Sequence, residues 1–167
     1  MKLKFKNQEF QTDAVNAVAD LFAGQEKSTT TFSVDDNSAQ MRLLHNDFGI
    51  GNKLEIDNDT LLSNMHSIQR RNKLPLSRDY DSRQFSIEME TGTGKTYVYT
   101  KTILELNKRY GFSKFIIVVP SVAIREGVFK SLQVTEEHFK NLYDGIPYRY
   151  FIYNSSKLSD VRQFATS

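Results

Sequence analysis

Between positions 89 and 96 the chain reads Met89-Glu90-Thr91-Gly92-Thr93-Gly94-Lys95-Thr96. Glycines on either side of Thr93 let the backbone curl so that successive N–H groups converge on one anion. Lys95 adds a mobile point charge suited to the β- and γ-phosphates of a nucleotide, and the Thr96 hydroxyl is a hard oxygen ligand for Mg²⁺. A helix opening at this point would turn the positive end of its dipole toward the same anion. The set Thr91, Gly92, Thr93, Gly94, Lys95 and Thr96 is therefore expected to bind a nucleoside triphosphate with Mg²⁺, with Lys95 and Thr96 as its catalytic members. Met89 stands where such loops usually carry Gly or Ala, so the strict pattern is missed by one residue. The alternative, a glycine-rich turn before a helix, is disfavoured because a strand pattern precedes the loop and a helix pattern follows it.

Three regions must position this loop. Residues 1–24 contain a helix, with Ala14, Val18, Leu21 and Phe22 at helical spacing and Gly24 placed as a left-handed cap. Residues 25–84 form a polar insertion with one helix, from about Thr60 to Arg71, capped by Asp59 or Thr60. Arg70, Arg71 and Lys73 lie at its basic end, where they suit a helix C-terminus better than a phosphate contact. Residues 85–167 alternate. Phe85–Met89 reads as a strand and Thr96–Tyr110 as a helix, with Tyr99, Ile103, Leu106 and Tyr110 on one face and Gly111 closing it. Phe115–Val119 reads as a strand buried on both faces. Val122–Leu132 and Thr135–Tyr143 read as helices, Tyr148–Tyr153 as a strand, and Ser159–Phe164 as a last short helix. The expected fold class is α/β, an incomplete P-loop domain built on a parallel sheet and preceded by a helix and a polar insertion.

Composition narrows the function classes. The 167 residues suffice for one domain with a core, and 39% hydrophobic with 25% charged content is ordinary for a globular chain. A net charge of +2 permits a nucleic-acid partner without arguing for one. The absence of cysteine excludes disulfides and thiolate metal sites, and nothing points outside the cytoplasm. Met1-Lys2-Leu3-Lys4-Phe5-Lys6 is basic but no apolar run follows, so a secretory signal is not expected. The apolar stretch Phe115–Val119 is far too short for a bilayer, and no membrane partner is expected. His45, His66 and His138 lack metal-ligand spacing and suit surface or helix-end roles. Tyr148, Arg149, Tyr150, Phe151 and Tyr153 suit either base stacking or packing within a sheet; packing needs fewer assumptions.

The loop resembles motif I of superfamily-two helicases and translocases, Ala-x-Thr-Gly-x-Gly-Lys-Thr, at Thr91 and Thr96. Phe10-Gln11-Thr12-Asp13-Ala14-Val15 resembles their upstream glutamine motif, in which an amide reads the adenine edge with a donor and an acceptor side by side. Taken alone, Gln11 is a solvent-facing helix residue. Val118-Val119-Pro120-Ser121 resembles motif Ia, a turn that touches the nucleic-acid backbone. The Gln commonly found seven residues after that Pro is Gly127 here, and Arg125 is the nearby cation best placed for a phosphate, unless it is simply solvated. From about Phe85 to the C-terminus the chain is most similar to the restriction (Res) subunit of type III restriction-modification enzymes. The segments Ile87–Tyr97, Ile103–Pro120 and Ala123–Val128 carry that likeness. It implies RecA-like motor lobes, a nuclease, ATP with Mg²⁺ as cofactors, double-stranded DNA as substrate, and a methyltransferase (Mod) partner that recognises the DNA site.

Motors of this kind also need an apolar strand closing in Asp-Glu to hold Mg²⁺ and position water. Phe115–Val119 ends in Pro120 and Tyr148–Tyr153 ends in Asn154-Ser155, so neither supplies that carboxylate. The chain reads as the opening segment of a motor, expected to bind nucleotide but not to turn it over alone. Family members insert two later strands between the two placed here. Without them Phe85–Met89 and Phe115–Val119 are expected to expose unpaired edges, leading to self-association or disorder around the loop. A non-catalytic nucleotide-binding or assembly module is the alternative from another class. A different P-loop NTPase such as a kinase is a third, against which Gln11 and the Pro120-Ser121 turn count.

Overall fold

In the computed structural model the described residues are 5–6, 8–27, 52–78, 83–154 and 158–166. The basic residues 1–4, His45 and residues 28–51 and 79–82 of the polar insertion lie outside them. The regular elements are α1 (Glu9–Ala19) with a 3-10 turn (Asp20–Phe22), α2 (Asn58–Arg71), α3 (Lys95–Tyr110), α4 (Val122–Leu142) and α5 (Leu158–Thr166).

Each helix end has a local cause. Gly24 lies at φ +93° beyond the 3-10 turn, and Gly111 at φ +74° closes α3 with its N–H donating to Asn107 O. Helix α2 is capped by Asp57, whose Oδ1 accepts from Thr60 N at 2.7 Å, and not by Asp59 or Thr60, which lie inside the first turn. Helix α4 opens on Ser121, whose hydroxyl accepts from Ile124 N at 3.3 Å. It runs unbroken through Gln133 and Val134, where two helices are expected from the sequence, because neither Gly nor Pro stands at that junction.

Helix α3 is the centre of the packing, with α1 on one side and α4 on the other. That double contact explains why its buried residues are Val98, Thr100, Thr102, Leu104, Leu106 and Tyr110 rather than a single stripe through Tyr99 and Ile103. The buried threonines satisfy their hydroxyls within the helix, Thr100 donating to Thr96 O at 2.8 Å and Thr102 to Val98 O at 2.9 Å. Toward α1, Ala19, Leu106, Tyr110 and Phe112 form one apolar cluster, joined by Phe22 and Phe115. Toward α4, Leu104, Phe139 and Tyr143 form another, joined by Tyr97, Ile146 and Tyr148. On α1 the fully buried positions are Val15 and Ala19, shifted by one from the set Ala14 and Val18, and this stripe continues back to Gln11.

The expected parallel sheet is not formed: among the described residues there is no strand. Phe85–Met89, Phe115–Val119 and Tyr148–Tyr153 run without helical or ladder structure. A strand exists only when a second segment supplies the matching N–H and C=O groups, and these three do not supply them to one another. Instead, backbone groups entering the second segment bond the Asn52 side chain: its Oδ1 accepts from Ser113 N and Lys114 N, and its Nδ2 donates to Lys114 O at 2.6 Å. Nor is that segment buried on both faces. Ile116 is 79% and Val118 88% exposed, while Phe115 packs against the α1–α3 cluster. Residues 148–150 lie on α4, with Tyr150 donating to Glu136 Oε2 at 3.2 Å and stacking edge-on with Phe129.

Candidate functional site

The turn ahead of α3 has the backbone that its glycines imply. Gly92 lies at φ +83° and Gly94 at φ +85°, where a residue with a Cβ is strained. Gly94 is the N-cap of α3 and has no side chain to bond the first turn, so the N–H groups opening the helix have no capping partner within the motif. Lys95 and Thr96 are the first two helical residues. A Cβ built on Gly92 meets nothing within 4 Å, so the space beside that residue is open. A left-handed turn with open space beside it thus leads into a helix N-terminus, the kind of place where an anion can bind.

Inside the turn, the Glu90 carbonyl accepts from Thr93 Oγ1 at 2.7 Å and from Lys95 Nζ at 2.8 Å. The lysine is thus folded back onto its own loop, held by a neutral oxygen that a phosphate anion would outcompete. Gln11 closes one side. Its Nε2 donates to Thr93 O at 2.9 Å across 82 residues of sequence, and it lies 2.8 Å from where a Cβ on Gly94 would be. The sequence by itself makes Gln11 a solvent-facing amide; packing of α1 on α3 sets it against the loop.

Pro120, Ser121 and Arg125 form a separate surface at the start of α4. With Val119 and Val122 they line a shallow cavity of about 280 Å³. The Ser121 hydroxyl caps the helix, and the Arg125 guanidinium bonds the neighbouring Glu126 carboxylate at 2.9 Å. Both groups have local partners that a phosphate contact would have to share or displace.

Two arrangements along α3 are not apparent from sequence. The Tyr97 hydroxyl lies 2.9 Å from His138 Nε2, and Phe5 stacks on both rings. Burial, then the nearby Lys101 charge, lowers the His138 pKa, and burial raises that of the Tyr97 hydroxyl. His138, close to the C-terminal end of α4, is therefore a half-buried packing residue. His66, also half-buried, pairs its Nε2 with Ser77 O at 2.9 Å. The second arrangement centres on Arg109, which bonds Glu105, Asp20 and Asn16 at the far end of α3. Its i,i+4 spacing from Glu105 is legible in the sequence; its partners on α1 and in the 3-10 turn are not.

No helix among the described residues is long and apolar enough to cross a membrane. A sequence profile described as type III restriction enzyme, res subunit, matches residues 4–145. The chain is 37% identical over 144 residues to the type III restriction-modification enzyme EcoPI Res subunit of Escherichia phage P1, covering 83% of this chain and 14% of that protein. It is 36% identical over 143 residues to the EcoP15I Res subunit of Escherichia coli, with the same coverage of 83% and 14%. It is 44% identical over 75 residues to the StyLTI Res subunit of Salmonella typhimurium, covering 44% of this chain and 8% of that protein. The chain thus spans about 14% of the length of the first two relatives. With the profile covering most of its length and the phosphate-loop sequence inside the match, the chain belongs to the family of type III restriction enzyme res subunits.

Proposed function

We propose that this chain is the ATP-binding segment of a DNA translocase within a type III restriction enzyme, acting in the cytoplasm on double-stranded DNA. In that role it works with the rest of the Res subunit and with a methyltransferase (Mod) partner. The observation that carries the reading is the convergence of Gln11 with the loop at a single site, although 82 residues separate it from Thr93. A phosphate loop alone serves many enzymes; a carboxamide beside it adds the means to read a base.

The groups present fit ATP and Mg²⁺. The open face at Gly92 and the first-turn N–H groups of α3 would hold the phosphates, and Lys95 would exchange the Glu90 carbonyl for a phosphate oxygen. Thr96 would face Mg²⁺ with its hydroxyl. Gln11 would present an amide N–H and C=O to adenine. ATP supplies, when bound, the phosphoanhydride whose cleavage drives movement along DNA. Pro120, Ser121 and Arg125 would meet the DNA backbone, where a small polar turn and one cation position a strand without reading its sequence.

Lys95→Ala tests the assignment. A charge-assisted contact to phosphate is worth roughly 1.5–3 kcal/mol, so Mg-ATP affinity should fall about tenfold or more. Titration calorimetry on the two proteins, with circular dichroism to establish that both are folded, measures it. Equal affinities would sink the reading.

A further inference from the structure

Helices α1 and α3 run side by side in the same direction and are fastened at both ends. At the loop end Gln11 meets Thr93. At the other end the Tyr110 hydroxyl donates to Ala19 O at 2.9 Å, and the Arg109 guanidinium spreads over three partners. Its Nε donates to Glu105 Oε1 at 2.7 Å, its Nη1 to Asp20 Oδ1 at 2.9 Å and its Nη2 to Asn16 Oδ1 at 2.7 Å. The same carboxylates extend the network: Asp20 Oδ2 accepts from Arg71 on α2 at 2.9 Å, and Glu105 Oε2 from the Tyr143 hydroxyl beyond α4 at 3.1 Å. One side chain thus links α1 and the 3-10 turn to α3, and through shared carboxylates to α2 and the end of α4.

We infer that Arg109 is a positioning residue for base recognition: it sets the axial register of α1 on α3 and thereby holds Gln11 over the phosphate loop. The inference rests on the proposed reading of Gln11 as the adenine contact. Lys95 and Arg109 are fourteen residues apart on one helix, about 21 Å at 1.5 Å per residue, so Arg109 touches neither base nor phosphate. Its effect must travel through α1. Helical side chains on one stripe recur every three or four residues, and sliding α1 by one residue, about 1.5 Å, across a hydrogen bond of 2.9 Å stretches it to about 3.3 Å, past the ordinary N–H···O range. The apolar contacts of Val15 and Ala19 are non-directional and tolerate such a slide, whereas a planar guanidinium fixed in three directions does not. The phosphate-binding N–H groups belong to α3 and its own turn; α1 touches that turn through the Gln11 bond to the Thr93 carbonyl, which is an acceptor and not one of those donors.

The test measures affinities of the full chain for Mg-ATP, Mg-GTP and Mg-tripolyphosphate, the last having no base. The variants are Arg109→Gln, Arg109→Lys, Asn16→Ala and Gln11→Ala. The wild type should prefer ATP and Gln11→Ala should lose that preference. Arg109→Gln and Asn16→Ala should reduce the ATP-to-GTP ratio several-fold, while tripolyphosphate affinity stays within about twofold. Arg109→Lys should restore part of the ratio, because a point charge recovers the Asp20 attraction but not the fork. Should Arg109→Gln fail to fold, Asn16→Ala removes only the Nη2 contact and carries the test. An unchanged ratio in the Arg109 and Asn16 variants, with the ratio lost in Gln11→Ala, would overturn the positioning role alone. A parallel fall in all three affinities would also overturn it, in favour of general destabilisation. A wild type without base preference, or a Gln11→Ala variant that keeps it, would instead defeat the reading of Gln11 and with it the inference.

Discussion

Gly92 and Gly94 have nearly the same backbone, φ +83° and +85°, but different surroundings, and that contrast isolates the packing of Gln11. A Cβ on Gly92 meets nothing within 4 Å, whereas one on Gly94 falls 2.8 Å from Gln11 Nε2. Substituting Ala at either position incurs the left-handed penalty of an L-residue, about 1–2 kcal/mol. Only Gly94→Ala also collides. The atom it strikes is the far end of a flexible side chain, so Gln11 swings aside and gives up its bond to Thr93 O. A neutral hydrogen bond contributes a net of about 1 kcal/mol, so Gly94→Ala should lower the unfolding free energy by about that much more than Gly92→Ala. In a Gln11→Ala background the colliding group is gone and the excess should vanish. Urea unfolding of the single and double variants, compared at constant slope, gives the four differences needed. An excess that persists without the Gln11 side chain would show that the two helices are not packed as described, and the argument from Gln11 to the loop would fall with it.

Two further outcomes follow from the contacts of α4. The His138 Nε2 lies 2.9 Å from the Tyr97 hydroxyl, and the pKa of His138 is lowered from 6.5 mainly by burial, then by Lys101. Below about pH 6.5 the unfolded chain therefore binds protons that the native chain refuses, so stability is whole above that value and declines as pH falls toward the lower native pKa. Melting curves between about pH 7.5 and pH 5.5 should show this decline, and His138→Gln, which cannot titrate, should flatten it; an unchanged pH dependence in the variant would contradict it. At the start of the same helix, Ser121→Ala should cost about 1 kcal/mol and Ser121→Gly only a few tenths, the order expected of an N-cap. Denaturant unfolding giving the reverse order would remove the capping role.

The parts legible in the sequence are those with local causes. The left-handed backbone of the turn follows from Gly92 and Gly94 themselves, because the conformation is decided within a few bonds of each residue. The limits of α3 follow in the same way from Gly94 and Gly111, both left-handed. The cap of α2 was open to misplacement because Asp57 and Asp59 are chemically equivalent candidates, and only the observed bond to Thr60 N chooses between them. Helix α4 was open to division because helix propensity at Val134 and Thr135 is weak, whereas packing of Leu132, Thr135 and Phe139 on the body carries the helix through.

Sequence by itself determined the family and the left-handed turn at Gly92 and Gly94, since both are read from consecutive residues. Only the tertiary structure decided which groups Gln11, Asp20 and Arg109 meet. Gln11 reaches Thr93 across 82 residues and Asp20 reaches Arg109 across 89, and an amide, a carboxylate or a guanidinium has no role until its partner is placed. The same rule governs Phe85–Met89 and Phe115–Val119. Their β-branched and aromatic composition is a local preference, but a strand is a relation between two segments. A helix closes its hydrogen bonds within itself, four residues back; an extended segment must find them elsewhere, and here the described residues do not offer them.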